Sequence, residues 1–219
     1  MRICPSILNA DQSNLLGEIE RVSAKGDWLH LDVMDGIFVP NFTFTFADAA
    51  NLIQGSPIPV DCHLMISEPD SQAVEYARVG AKSVTFHFEA SKTPGATLRQ
   101  IRATGARSGL ALKPTTRFEE VIDLLDHVDM LLIMTVEPGL GGQSFMSEML
   151  PKVAAARKFF DAKASHSWLQ VDGGISLETI GSASNAGADT FVAGSAVFKS
   201  LDPSSMIDEL RKIAETSHL

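Results

Sequence analysis

The chain has 219 residues, 45% of them hydrophobic and 21% charged, which supports a sizeable buried core and excludes a disordered or fibrous class. Lys and Arg number 18 against 27 Asp and Glu, a net charge of −9 with no basic run, so neither nucleic acid nor an anionic membrane surface is expected as a partner. Cys4 and Cys62 lie in apolar stretches without a CxxC motif, and no stretch has the ~18 apolar residues of a membrane span or a signal-peptide core, so a cytoplasmic protein is expected.

Strand-like runs and segments of helical periodicity alternate along the chain. RICPSIL (2–8) comes first, followed by helical spacing at Leu15, Ile19 and Val22. The next runs are WLHLDVM (28–34), PVDCHLMI (59–66) and SVTFHFE (83–89). Thr93-Pro94 then marks a helix start, a capping side chain followed by proline at the first helical position. RSGLALK (107–113), MLLIMTV (130–136), WLQVD (168–172) and TFVAG (190–194) follow. Asp202-Pro203 opens a last helix that carries Met206, Leu210 and Ile213 on one face. No linker-like stretch or composition shift interrupts this order, so residues 1–219 read as a single domain. Eight strand–helix units in 219 residues predict an α/β fold, a (β/α)8 TIM barrel close to its lower size bound of ~200 residues. A doubly wound open sheet is the competing architecture, but it rarely needs eight units. In such a barrel, functional side chains gather at the C-terminal ends of the strands.

HLDVMD (30–35) places charge inside an apolar run. Strand alternation sets His30, Asp32 and Met34 on one face and Leu29, Leu31 and Val33 on the other, the side a helix would cover. The third run repeats this, with Asp61, His63 and Met65 opposite Val60, Cys62 and Leu64. Asp172 is the last strand residue before Gly173 and Gly174. A buried carboxylate without a partner costs several kcal/mol or protonates. Two imidazoles and two carboxylates, from His30, His63, Asp32 and Asp172, suit one divalent metal ion such as Zn, Fe, Mn or Co, with room left for substrate oxygens.

Glycine-rich strand ends point to a second chemistry. Gly139, Leu140, Gly141 and Gly142 follow the sixth run, Gly173 and Gly174 the seventh, and Gly194 and Ser195 the eighth. Backbone N–H groups in such loops cradle phosphate, which lets a net-acidic protein hold an anion. Met34, Met65 and Met134 occupy corresponding late-strand positions. They read either as gap-filling core residues or as an apolar ceiling that keeps water from a reactive intermediate. His87 and Glu89 are expected to support the site by hydrogen bonding, Asp35 to serve a turn, and Glu137 to buttress the glycine-rich loop. His127, His166 and His218 are expected to face solvent.

PSIL (5–8), HLDVMDGIFVPN (30–41), VDCHLM (60–65), FHFEA (86–90), MTVEPGLGGQSFM (134–146), VDGGI (171–175) and VAGSAVF (192–198) together resemble the ribulose-phosphate 3-epimerase family over essentially the whole chain. The resemblance implies an isomerase of the pentose phosphate pathway that interconverts D-ribulose 5-phosphate and D-xylulose 5-phosphate. Its metal ligands match His30, Asp32, His63 and Asp172, its acid/base pair Asp32 and Asp172, and its substrate-contacting serine Ser6. Its phosphate-holding backbone matches Gly141, Gly142, Gly174, Gly194 and Ser195. Relatives assemble as dimers or larger, so a homo-oligomer is expected.

The implied chemistry removes a proton from one face of C3 and returns one to the other. General acid–base catalysis contributes about 10²–10⁴-fold, too little for an unactivated carbon acid, so a metal acting as Lewis acid on the C2 and C3 oxygens would stabilise the enediolate. Asn9, Ile37, Thr45 and Leu140 depart from the family's usual residues, though none is a proposed ligand or base. The nearest alternative is a D-allulose-6-phosphate 3-epimerase on the same scaffold. A decarboxylase or aldolase would want a lysine at the site, and Lys113 is the one late-strand candidate. A catalytically silent phosphosugar-binding protein would be expected to lack an aspartate or a ligand.

Overall fold

The computed structural model describes residues 1–218. Eight parallel strands are present: β1 Arg2–Pro5, β2 Leu29–Met34, β3 Val60–Met65, β4 Ser83–His87, β5 Arg107–Leu112, β6 Met130–Met134, β7 Trp168–Asp172 and β8 Thr190–Ala193. They pair in the order β1-β8-β7-β6-β5-β4-β3-β2, and a parallel bridge between Ser6 and His30 brings the two sheet edges together. The helices are α1 Leu15–Ser23, α2 Phe46–Gly55, α3 Pro69–Arg78, α4 Pro94–Ala103, α5 Leu150–Ala162, α6 Ile180–Asn185, α7 Ser195–Phe198 and α8 Pro203–Ser217. This is the (β/α)8 barrel expected from the alternation. One unit differs: Phe118–His127, between β5 and β6, winds as a 3-10 helix. Its buried Phe118, Val121 and Leu125 are three and four residues apart, a spacing that does not by itself select this winding.

The main core lies between barrel and helices. Leu29, Leu31 and Val33 of β2, Leu64 of β3, and Leu131 and Ile133 of β6 share it with Ile19, Leu98, Phe160 and Leu210 from helices. Period-two alternation sends these strand residues outward and leaves the polar ones inside. At the bottom, Trp168 lies between the guanidinium groups of Arg2 and Arg107, 3.8 and 3.7 Å from its ring centre, with Trp28 edge-on at 5.3 Å. That plug leaves the opposite mouth for chemistry.

Strands stop earlier than the apolar runs. After Pro5, Ser6 turns the chain into a 3-10 turn over Ile7–Asn9, its Oγ accepting the Leu8 N–H at 3.3 Å. Asp202 caps α8 as expected, accepting the Ser205 N–H at 3.1 Å. Thr93 does not cap α4 through its side chain. Asp70 of α3 instead holds the segment leading into α4, accepting the N–H groups of Lys92 and Thr93 at 2.8 and 3.1 Å and the Thr97 hydroxyl at 2.7 Å. Among the described residues, no helix is long and apolar enough to cross a membrane.

Candidate active site

Strands β2 and β3 run in a register that sets His30 beside Asp61, Asp32 beside His63 and Met34 beside Met65. Both imidazoles are fully buried and Asp32 is 3% exposed. Asp172 reaches the same point from the end of β7, where Thr135 holds the turn by donating its N–H to the Asp172 carbonyl at 2.7 Å and its hydroxyl to the Gly173 carbonyl at 2.7 Å. One donor atom from each of His30, Asp32, His63 and Asp172 lies within 4.8 Å of all the others.

The closer separations are informative. His30 Nε2 is 3.4 Å from Asp32 Oδ1, 3.4 Å from His63 Nδ1 and 3.8 Å from Asp172 Oδ2. His63 Nδ1 is 3.2 Å from Asp32 Oδ1 and 3.6 Å from Asp172 Oδ2. Four donors about 2.1 Å from a tetrahedral cation stand about 3.4 Å apart. The spacing and the chemistry of this donor set therefore fit a divalent metal ion.

Outer partners fix these side chains. Ser6 Oγ donates to Asp32 Oδ2 at 2.6 Å. His30 Nδ1 lies 2.9 Å from Asp61 Oδ2, which also accepts from Gln170 Nε2 at 2.9 Å. His63 Nε2 lies 3.0 Å from His87 Nε2, and His87 Nδ1 lies 3.2 Å from Glu89 Oε2. The expected support from His87 and Glu89 is thus visible. Alternation sets Asp61 on the inward face without giving it a role, and Gln170 sits likewise two residues before a ligand.

The titration state without a cation shows the strain of so many buried acids. Burial, and then the neighbouring charge of Asp32, push the Asp172 carboxyl up to about 6. Burial also opposes charge on Asp32, yet His30 and His63 hold its carboxyl well below the usual carboxylate range. His30 is raised well above the ordinary imidazole value, Asp32 and Asp61 outweighing its burial. Burial lowers His87 to about 4. Glu89 falls to about 2 against its own burial, through hydrogen bonds from His87 and Thr116. A divalent cation would take the place of the protons that balance this cluster.

Above the cluster is a cavity of about 510 Å³, open mouth included. Ser6, Asp32, Met34, Met65, Met134, Gly139, Leu140, Gly141, Gly142, Asp172, Gly173, Gly174, Gly194 and Ser195 line it, so only His30 and His63 among the expected residues lie beneath rather than on its wall. The three methionines are buried; Met34 and Met65 pack with Val39, and Met134 packs with Val136. Gly174 has a φ of 67°, and a Cβ there would stand 2.5 Å from the Phe145 backbone nitrogen. Asn9 wedges between the glycine-rich loop and the end of β8: a Cβ on Gly141 would stand 2.6 Å from its Nδ2, and one on Gly194 2.8 Å from its Oδ1.

The loop over the cavity is tied down. Asn41 Nδ2 donates to the Gly139 carbonyl at 2.8 Å, and Gln143 Nε2 donates to the carbonyls of Glu137 and Leu140 at 2.7 and 2.8 Å. Glu137 therefore contributes its carbonyl, not its carboxylate, to the loop. Asp35 serves a turn, accepting the N–H groups of Ile37 and Phe38, each at 2.9 Å. Lys113 does not enter the site; its Nζ sits 3.9 Å from the Phe38 ring centre. His166 and His218 are exposed, whereas His127 is half-buried.

The chain is similar to known proteins over nearly its whole length. Residues 2–198 match the model of the ribulose-phosphate 3 epimerase family. The chain is 49% identical over 212 residues to the ribulose-phosphate 3-epimerase of Mycobacterium leprae, covering 97% of this chain and 94% of that protein. It is 48% identical over 217 residues to the Mycobacterium tuberculosis protein of the same name, covering 99% and 94%. A crystal structure of 3-hexulose-6-phosphate synthase shares the fold, with a TM-score of 0.72 at 17% identity over 97% of this chain and 99% of that one. The chain belongs to the ribulose-phosphate 3-epimerase family and is an epimerase, an enzyme of the isomerase class.

Proposed function

We propose that the protein interconverts D-ribulose 5-phosphate and D-xylulose 5-phosphate, using Asp32 and Asp172 as the two proton-transfer groups and one divalent metal ion held by His30, Asp32, His63 and Asp172. The observation that carries this reading is that Asp32 of β2 and Asp172 of β7 enter one cavity from separate strands. One carboxylate takes the C3 proton; the C–H electron pair forms the C2–C3 double bond and the carbonyl pair moves to O2, giving an enediolate. The other carboxyl returns a proton to C3 from the opposite face, the O2 pair re-forms the carbonyl, and the two exchange roles with direction. Ser6, 2.6 Å from Asp32 Oδ2, orients that carboxylate and contacts the sugar. When bound, a divalent cation supplies Lewis-acid stabilisation of negative charge on the substrate oxygens.

In this reading Met34, Met65 and Met134 exclude water from the enediolate, and the backbone of Gly141, Gly142, Gly174, Gly194 and Ser195, with Gly139, Leu140 and Gly173 beside it, holds the phosphate. We place the protein in the cytoplasm, where its buried free thiols Cys4 and Cys62 stay reduced, and expect a homo-oligomer as in its family. Light scattering tests the assembly state. A coupled assay tests the substrate: kcat/KM for D-ribulose 5-phosphate should exceed that for D-allulose 6-phosphate by at least tenfold. The reverse order would assign the hexose phosphate.

A further inference from the structure

We propose that His87, directed by Glu89, is a positioning residue that sets the His63 tautomer so that Nδ1 is the atom offered to a metal ion. The inference rests on the ligand set proposed above and goes beyond it, because nothing in that set requires residues of β4. His63 is fully buried between the cluster, which its Nδ1 faces, and the His87 ring, whose Nε2 stands 3.0 Å from its own Nε2. Two ring nitrogens at that distance share one proton, so one ring donates and the other accepts.

Glu89 decides the direction. Its carboxylate already accepts the Lys113 N–H at 2.8 Å and the Thr116 hydroxyl, and it stands 3.2 Å from His87 Nδ1. A carboxylate held by such donors accepts, so His87 donates from Nδ1 and turns the lone pair of Nε2 toward His63. His63 must then donate from Nε2, which leaves the Nδ1 lone pair aimed at Asp32, Asp172 and His30. Phe38 braces the chain, its ring 4.8 Å from that of His87.

His30 reaches the same end with the opposite tautomer. It faces Asp61 through Nδ1 at 2.9 Å and the cluster through Nε2. The two imidazoles therefore need protons on different nitrogens, and different neighbours provide for that. Partners of this kind commonly change metal affinity by about 10–100-fold.

The test strips the protein of metal and titrates it with Co(II) and Zn(II) against a chromophoric chelator. His87→Leu should bind about 10–100-fold more weakly and shift the visible Co(II) absorption. His87→Gln, whose amide oxygen can accept from His63, should recover to within about threefold. Glu89→Gln, on a side chain 20% exposed, guards against misfolding of the leucine variant and should weaken binding by about 3–10-fold. Long-range ¹⁵N–¹H spectra of the Zn-loaded protein should show His63 protonated on Nε2. Unchanged affinity and spectrum in both His87→Leu and Glu89→Gln, with a parent that binds one equivalent, overturns this proposal alone. A parent that takes up no metal overturns the ligand set, and the proposal with it.

Discussion

Asp61 offers the sharpest energetic test, because two substitutions at one buried atom set should differ in a calculable way. Its carboxylate is 1% exposed and accepts from His30 Nδ1 and Gln170 Nε2, each at 2.9 Å. Asp61→Leu is bulkier than the aspartate and leaves both donors buried without a partner. Each orphan costs about 1–3 kcal/mol, so the variant should lose about 2–6 kcal/mol. Asp61→Asn retains an acceptor for His30 but turns an amide N–H₂ toward Gln170. That clash has a ready solution, since Gln170 Oε1 is buried without a partner and a rotated Gln170 amide presents it to the new donor. The asparagine variant keeps both hydrogen bonds but loses the charge opposite His30, so it should lose about 1–3 kcal/mol less than the leucine variant. Urea unfolding of metal-free protein at pH 7, followed by circular dichroism, reads the difference. Equal losses for the two variants would refute the hydrogen-bond reasoning.

Asp32→Asn and Asp172→Asn should each lower kcat by at least ~100-fold while circular dichroism stays that of the parent; substantial retained turnover in either would remove the two-base scheme. Glu89 is depressed from 4.5 to about 2, so its contribution to stability is complete above pH 4.5 and is lost as pH falls toward 2. The Glu89→Gln variant should thus show a flatter urea midpoint between pH 4.5 and 3 than the parent, and a parallel pair of curves would contradict the assignment. Gly174→Ala must take a φ of 67° and meet the Phe145 backbone nitrogen, so it should raise KM for the phosphorylated substrate at least tenfold and cost about 1–3 kcal/mol in thermal stability; parent-like kinetics would show the turn to be unimportant.

Much of this site could be read from alternation alone. His30, Asp32, His63 and Asp172 sit on inward faces near strand ends, and a barrel brings such positions together whatever its loops do. Less visible were contacts between distant segments. Thr93-Pro94 looks like a self-capped helix start, yet the Thr93 side chain makes no cap and Asp70 on another unit fixes the segment that leads into the helix. Asn9 stands out in the sequence only as a departure from the family's usual residue, and only the approach of Gly141 and Gly194 puts its amide at the cavity wall. His87 alternates inward like the ligands, but Glu89 lies in the 3-10 turn Phe88–Ala90 after β4, and their order along one hydrogen-bond chain depends on how β3 and β4 register, which pairs His63 with Thr85. The 3-10 winding of Phe118–His127 has apolar spacing of three and four, which a helix of either kind accommodates.

The central claim is tested most directly by proton NMR of D-ribulose 5-phosphate incubated with the protein in D₂O, with and without a strong chelator. The account predicts conversion to D-xylulose 5-phosphate with deuterium entering at C3, abolished by the chelator and restored by a divalent metal. No exchange at C3 with metal-replete protein, or exchange indifferent to the chelator, would contradict it.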